Sequence, residues 1–344
     1  MLGLSRKAQN FLRAYAGERD KFESAAGLAS RIVEDIARGT GSLVHVVSGR
    51  AKTTESLRGK FRRKRYKHPA RETTDLIGVR VITYCSDEVD AIVTQLRQQL
   101  HVDATESVDK RLGLGLQAFG YRSVHLIARL RPGPAFTESH EFLQSHWFEV
   151  QVRSILEHAW AEIEHEVVYK SGVTQPKATL RRFASLAGTI ELLDNEFLAL
   201  REERNALIDA YLDLYRRKQY DRHPFDVARL LGFLEAVRPG RSWRQAKAEG
   251  TPFQAGLEVS CVDALKAAGL GTPASLHRMF RSRRFKYILH TFAALQGISA
   301  EEVSHLASVV LAIAVKEIRV VRYHFPEMLY DPAVTQIVER RAKR

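Results

Sequence analysis

The sequence predicts an α/β (α+β) protein with a mixed β-sheet flanked by helices, followed by an all-helical carboxyl-terminal domain. Before about residue 215, short segments rich in β-branched residues alternate with stretches of helical periodicity, and after it only helical periodicity remains. The length of 344 residues suits two domains, and a hydrophobic content of 45% allows a full core. We therefore predict domains at 1–215 and 216–344, with the charged stretch 216–224 as a linker.

The elements of the first domain follow from apolar spacing. Residues from about 5 to 48 predict helix, because apolar residues such as Phe11 and Tyr15 recur at helical intervals. A second helix is expected from Ser56 through Phe61, and Asp87 is expected to begin a third. Strands are predicted at 78–85, 121–130 and 147–153, and further helices at 155–169 and 176–204.

The second domain has helical periodicity over residues 227–237, 262–268, 273–288 and 300–320. Glycine and proline separate these segments. The sequence leaves its role open among an inhibitory or sensing domain, an oligomerisation domain and a fused antitoxin.

The net charge of +13 and the isoelectric point near 9.8 suggest polyanionic partners, namely nucleotides, RNA or an acidic protein. Charge alone does not exclude a merely solvated basic surface. Cys85 and Cys261 are the two cysteines, too few for a disulfide framework or a zinc site. A cytoplasmic location is therefore expected. The longest apolar run, residues 306–315, is too short for a membrane span, so no membrane association is expected.

Two predicted strands carry polar residues on one face. Side chains alternate along a strand, so Glu149, Gln151 and Arg153 share a face, as do Ser123 and His125 together with Tyr121. A single such strand is usually solvated on that face. Two of them, each with an apolar opposite face, favour the floor of a polar cleft.

Asp75 stands just before the predicted strand 78–85. A lone aspartate there is most often a turn residue. Paired across a sheet with Glu149, it is expected to hold Mg²⁺, which prefers one or two carboxylates plus substrate phosphate oxygens.

Residues 58–67 (RGKFRRKRYK) form a run of seven cations in ten positions. Such a run is usually a solvated face, and its functional alternative is contact with polyphosphate or an RNA backbone. Arg50, Lys52 and Lys60 are close enough in sequence to converge on one triphosphate.

Four segments appear in a characteristic order: 49–60 (GRAKTTESLRGK), 75–80 (DLIGVR), 120–125 (GYRSVH) and 148–153 (FEVQVR). Together they resemble the RelA/SpoT-type alarmone synthetases, especially the small single-synthetase members, over roughly residues 45–200. The resemblance implies a mixed sheet flanked by helices. It also implies Mg²⁺-dependent transfer of the β,γ-pyrophosphate of ATP to the ribose 3′-hydroxyl of GDP or GTP.

The resemblance also assigns roles on the ATP side. Arg50 and Arg80 would stack on the two faces of adenine, and Lys52, Ser56 and Lys60 would hold the phosphates. Asp75 and Glu149 would bind Mg²⁺ as the catalytic carboxylates, with Glu149 also taking the proton of the attacking hydroxyl.

On the acceptor side, Tyr121 would stack on the base and His125 would lie near the phosphates, with Arg122 and Gln151 as further acceptor-binding residues. The matching motif on the following helix comprises Trp160, Glu164, His165, Tyr169 and Lys170.

The chain departs from the family pattern on this side. Residues 110–119 are largely apolar and glycine-rich where lysines, a proline and an asparagine are typical, and His158 and Ala159 replace an acidic or amide residue and a phenylalanine. A toxic subset of small synthetases looks similar in lacking the basic loop and modifies the 3′ end of tRNA. The alternatives to a guanosine acceptor are therefore tRNA or a catalytically inactive RNA-binding module. A homo-oligomer also stays open.

Overall fold

The structure is a computed structural model that describes residues 4–64, 66–111, 123–134, 137–169, 176–237 and 257–325. It divides into two compact units, Met1–Leu198 and Ala199–Arg344. The division falls inside one long helix, Lys177–Arg216. The domain boundary near 215 stays a prediction. None of the helices in the described ranges combines the length and the apolar character that a membrane span requires.

The first unit contains the predicted mixed sheet, with five strands. They are β1 (Val44–Ala51), β2 (Ile77–Thr83), β3 (His101–Asp109), β4 (Val124–Arg129) and β5 (Phe148–Ser154). Their order across the sheet is β1-β2-β5-β4-β3. β2 and β5 pair in parallel and the other neighbours are antiparallel. The predicted fold class is confirmed.

Helices precede, separate and follow these strands along the chain. They are α1 (Arg6–Gly17), α2 (Arg19–Gly39), α3 (Thr54–Arg63), α4 (Pro69–Glu72), α5 (Asp87–Gln99), α6 (Glu138–Ser145), α7 (Ile155–Glu164) and α8 (Lys177–Arg216), with a π-helical turn at His165–Tyr169. Side-chain caps fix two starts near the site. Thr53 accepts from the backbone N–H of Ser56 at the start of α3. Ser154 and Glu157 form a capping box at the start of α7.

One face of the sheet is covered by α2, whose alanines Ala25, Ala26 and Ala29 are fully buried. The helix approaches β1 so closely that a Cβ on Gly49 would lie 2.4 Å from the backbone oxygen of Ala26. Only glycine fits this contact. Because side chains alternate, Arg50 projects from the other face of the sheet.

One expectation about the first unit was wrong. Residues 44–48, predicted as helix, begin β1. The strand predicted at 121–130 is present as β4, which starts at Val124, and residues 121–122 lie outside the described residues. The sequence also gave no indication of β3 or α6. Both β1 and β3 are edge strands with largely exposed or half-exposed side chains, so they lack the apolar pattern by which strands are recognised.

The regular elements of the second unit are all helices within its described residues, as predicted. After the end of α8 come α9 (Val227–Val237), α10 (Leu257–Ala267), α11 (Pro273–Arg281), α12 (Arg283–Gln296), α13 (His305–Lys316) and α14 (Ile318–His324). Its core includes Leu230, Phe233, Leu265 and Leu276, all fully buried.

Two predicted helices of this unit are each divided in the structure. The segment 273–288 breaks at Ser282, whose side chain caps α12 by accepting from the backbone N–H of Phe285. The segment 300–320 becomes helical at His305, after the cap Ser304, and breaks at Glu317. At Ser282 the serine cap competes with helix continuation, which the apolar periodicity does not register. At Glu317 the glutamate side chain accepts from the backbone N–H of Arg319.

Candidate active site

Asp75 is held between two lysines just before β2. Its Oδ1 lies 2.7 Å from Lys60 Nζ, and its Oδ2 forms a second ion pair with Lys52 Nζ. The backbone of Lys52 is fixed on both sides. Its N–H donates to the Leu76 carbonyl at 2.8 Å, and its carbonyl accepts from the buried Tyr15 hydroxyl at 2.6 Å.

Glu149 lies on β5 between two polar neighbours. Its Oε1 is 2.7 Å from His125 Nδ1 on the adjacent strand β4, and its Oε2 accepts from Gln151 Nε2 at 2.8 Å. The alternation predicted for β5 is confirmed, because Phe148, Val150 and Val152 are fully buried while Glu149 and Gln151 are partly exposed.

Strand register collects these residues into two adjacent rows across the sheet. Arg50 pairs with Gly78, Gly78 with Glu149, and Glu149 with Ile127. The second row lies two residues further along each strand, on the same face. It contains Ser48, Arg80, Gln151, His125 and Val108. At the centre of the first row, a Cβ on Gly78 would meet no atom within 4 Å. The sheet backbone is therefore open to a ligand between Arg50 and Glu149.

A single cleft runs over these rows. It is lined by most of the residues that the sequence singled out, namely Arg50, Lys52, Ser56, Lys60, Asp75, Arg80, His125, Glu149 and Gln151. Tyr121, Arg122 and Lys170 lie outside the described residues, and nothing is described of the Tyr169 side chain.

Both carboxylates are ionised at neutral pH. Burial raises the pKa of Asp75, but the positive charges and hydrogen bonds of Lys52 and Lys60 outweigh it and leave that pKa below its ordinary value. Burial likewise raises the pKa of Glu149, and His125 and Gln151 bring it below its ordinary value. The charge of Asp75 acts in the opposite direction on Glu149. The two carboxylates are thus close enough to repel.

This pair fits a divalent cation. Each carboxylate side chain is 19% exposed, so the pair is sheltered but reachable. Hard oxygen ligands in such a pair are what Mg²⁺ prefers. A cation between them would relieve the repulsion that the two negative charges impose on each other.

Further cations line the same cleft. Arg50, Arg63 and Lys64 line it, and among the described residues none of the three forms an ion pair. Ser56, in the first turn of α3, accepts from the Thr53 hydroxyl at 2.8 Å. The run 58–67 is therefore partly a cleft wall.

Arg80 borders the cleft from β2 and is anchored from α7. Its Nη1 lies 2.9 Å from Glu162 Oε1. Such a contact fixes one edge of the guanidinium and leaves its flat face accessible.

Sequence reasoning missed Lys110, which lines the cleft just after β3. Burial lowers the pKa of Lys110, and the charges of Glu149 and Glu164 act to raise it. Lys110 begins a stretch that is otherwise apolar, so the local sequence does not mark it as a cleft residue. Its positive charge, at a position that shares the alternation of Glu106 and Val108, is the feature that could have identified it.

The residues of the helix motif do not all lie in the cleft. His165 lines the cleft. Burial raises the pKa of Glu164, so that carboxyl lies in a sheltered environment. Trp160 is buried instead, packs against Ala187 and donates through Nε1 to the Phe183 carbonyl at 3.3 Å. Its position indicates a structural part in joining α7 to α8.

An α/β fold that sets paired carboxylates among cations, beside an open stretch of sheet, is typical of proteins that handle nucleotide phosphates. Residues 49–174 match the family model described as the region found in RelA / SpoT proteins. The part of this chain that carries the site, residues 49–174, is therefore similar to the RelA/SpoT family.

Individual proteins are also similar to this chain. GTP pyrophosphokinase YwaC from Bacillus subtilis (strain 168) is 27% identical over 57% of this chain and 90% of its own length. GTP pyrophosphokinase YjbM from the same organism is 26% identical over 47% of this chain and 74% of its own. Among solved structures, small alarmone synthetase 1 from Bacillus subtilis bound to its product pppGpp is similar, with 23% identity, 56% and 98% coverage and a TM-score of 0.45.

Proposed function

We propose that this protein is an ATP-dependent pyrophosphokinase that transfers the β,γ-pyrophosphate of ATP to the ribose 3′-hydroxyl of GDP or GTP. The observation that carries the proposal is the pair Asp75, just before β2, and Glu149, on the neighbouring β5, which line one cleft with Lys52, Lys60 and Arg50. The names of the relatives YwaC and YjbM support it.

The reaction places definite demands on the site. The acceptor 3′-oxygen forms a bond to the β-phosphorus of ATP, the bond from that phosphorus to the α,β-bridging oxygen breaks, and AMP leaves. The hydroxyl proton must go to a base. Glu149 is ionised at neutral pH and lies in the cleft, so we assign it that part.

The cations are assigned to the ATP side. Lys52 and Lys60 now pair with Asp75, and a bound triphosphate would give both ammonium groups new anionic partners. Ser56 adds a hydroxyl from the start of α3. The flat guanidinium groups of Arg50 and Arg80 suit the two faces of the adenine ring.

Asp75 and Glu149 would hold Mg²⁺, which would supply positive charge to the transferring phosphates. The acceptor side is assigned to His125, Gln151 and, from sequence alone, Tyr121 and Arg122. We expect the enzyme to work in the cytoplasm, where its nucleotide substrates are found.

The test is a product assay with γ-labelled ATP and Mg²⁺, in which GDP, GTP, ATP and bulk tRNA are offered in parallel. We expect AMP release together with a labelled guanosine product. Absence of AMP with every acceptor would overturn the enzyme proposal and leave an RNA-binding module. Labelling of tRNA without labelling of GDP or GTP would show that tRNA, and not a guanosine nucleotide, is the acceptor.

The tRNA alternative has one specific structural observation in its favour. Arg58, Arg62 and Lys67 are exposed next to the cleft-lining Arg63 and Lys64. A basic surface that leads to a cleft suits an RNA strand whose end enters the site. A mononucleotide has too few phosphates to use that surface as well.

A further inference from the structure

One carboxylate on α7, that of Glu162, lies between two guanidinium groups and an imidazole. Its Oε1 is 2.9 Å from Arg80 Nη1, 3.5 Å from Arg153 Nη2 and 3.8 Å from His158 Nδ1. The three partners come from β2, β5 and α7 respectively. Of these four residues, Arg80 lines the cleft.

Arg80 and Arg153 carry like charges that repel each other. Burial lowers the pKa of His158, and the positive charges of Arg153 and Arg80 lower it further, so the imidazole is neutral at neutral pH. The Arg153 side chain is only 3% exposed and cannot move away, whereas the Arg80 side chain reaches the cleft and can. Without the negative charge of Glu162, Arg80 would turn away from Arg153.

We propose that Glu162 is a positioning residue for ATP, which holds the Arg80 guanidinium in the orientation that receives the adenine ring. This inference rests on the proposed function, because there Arg80 stacks on that ring. The contact through Nη1 anchors one edge of the guanidinium and leaves its face to the cleft. A charge-assisted contact holds this edge more firmly than a neutral amide would.

The alternative is that the ion pair between Glu162 and Arg80 contributes nothing to nucleotide binding. The Glu162 side chain is 54% exposed, and exposed pairs commonly contribute nothing measurable. The same exposure makes Glu162 safe to change, because its replacement creates no cavity. An effect on nucleotide binding that depends on Arg80 separates the two views.

The experiment uses the full chain and measures binding of α,β-methylene ATP by calorimetry for Glu162→Gln. We expect its dissociation constant to rise roughly fivefold, the loss of one cation–π contact. In the transfer assay the KM for ATP should rise similarly while kcat and the acceptor KM change little. Glu138→Gln, at an exposed glutamate of α6, is the matched control and should bind as wild type does.

An Arg80→Ala background completes the test. There Glu162→Gln should weaken binding no further, because the residue that it positions is gone. The inference is overturned if Glu162→Gln binds the analogue as tightly as wild type, or if its effect is equally large in the Arg80→Ala background. Wild-type protein that binds the analogue but transfers pyrophosphate to no acceptor would overturn the proposed reaction and leave this inference standing. Failure of the wild type to bind the analogue would overturn both.

Discussion

Lys60 Nζ lies 2.7 Å from Asp75 Oδ1, and this contact ties the last turns of α3 to the chain that enters β2. Lys52, from the end of β1, completes the arrangement on the other carboxylate oxygen. Two potential phosphate-binding ammonium groups are thus kept in place by the residue that we assign to the metal.

Replacing Asp75 by asparagine should nearly abolish transfer. The change removes a metal ligand and leaves two lysines without their shared counter-ion. We expect kcat/KM to fall roughly a thousandfold or more. The measurement is AMP release over a range of Mg²⁺, with circular dichroism as the folding control. A near-wild-type rate at saturating Mg²⁺ would remove Asp75 from the site.

Glu149→Gln should be at least as damaging, and excess Mg²⁺ should not rescue it. The amide cannot accept the hydroxyl proton, and it also removes a charge from the proposed metal pair. We expect a loss of roughly a thousandfold or more in kcat. Partial rescue of Asp75→Asn by Mg²⁺, with none for Glu149→Gln, would match the two assigned roles. Rescue of both variants to the same extent would contradict the proton-accepting role.

Acid should destabilise the protein partly through Asp75. Its pKa in the folded state lies below the ordinary value of 3.8, so its contribution to stability is full above that value. The contribution is lost as the pH falls from 3.8 through the lower pKa of the folded state. Denaturant titrations across this range should show a smaller loss for Asp75→Asn than for wild type. Equal pH dependence would mean that the two lysine contacts are not maintained in solution.

Gly49 lies in β1 and Gly78 in the neighbouring β2, and we expect different effects on stability when each is replaced by alanine. At Gly49 the added Cβ would lie 2.4 Å from the Ala26 oxygen, so Gly49→Ala should cost about 1–3 kcal/mol in the free energy of unfolding. At Gly78 nothing lies within 4 Å, so Gly78→Ala should be nearly neutral for stability. Chemical denaturation of both variants checks this. Equal costs would contradict the close packing of α2 on β1.

The exposed cations outside the cleft discriminate between acceptors. Neutralising Arg58, Arg62 and Lys67 together should barely change turnover of GDP or GTP. If tRNA is the acceptor, the same change should weaken binding, with each lost phosphate contact reducing the salt slope by about 0.9 for duplex regions. The measurement is KM as a function of salt for each acceptor. Loss of turnover with GTP would show that this surface contributes to the mononucleotide site.

Much of the site followed from sequence because it lies on strands with clear alternation. The partly exposed Glu149 and Gln151 alternate with buried apolar residues, so their common face was predictable. The side chains that contact Glu149 and Gln151 could not be predicted in this way. The contact between Glu149 and His125 depends on the register of β4 against β5, and register is set by pairings between segments distant in sequence.

Other features depend on contacts that have no local signal. β1 and β3 are recognisable through their partners rather than their own composition. The hydroxyl of Tyr15 meets the Lys52 carbonyl only because α1 packs near α3. In the sequence, Glu162 has no feature that sets it apart from the other charges of its helix, and only the three-dimensional arrangement places it against Arg80 and Arg153 from two strands.

The parallel pairing of β2 with β5 also determines when the site can form during synthesis. Asp75 and its two lysines leave the ribosome long before Glu149, and β2 then has only β1 beside it in its final sheet position. The second carboxylate arrives after β3, β4 and α6 have been translated. A nascent or truncated chain that ends before Phe148 therefore carries the cations of the cleft without its proposed base. Such a product should transfer no pyrophosphate, so the order of the strands delays activity until most of this unit has been made.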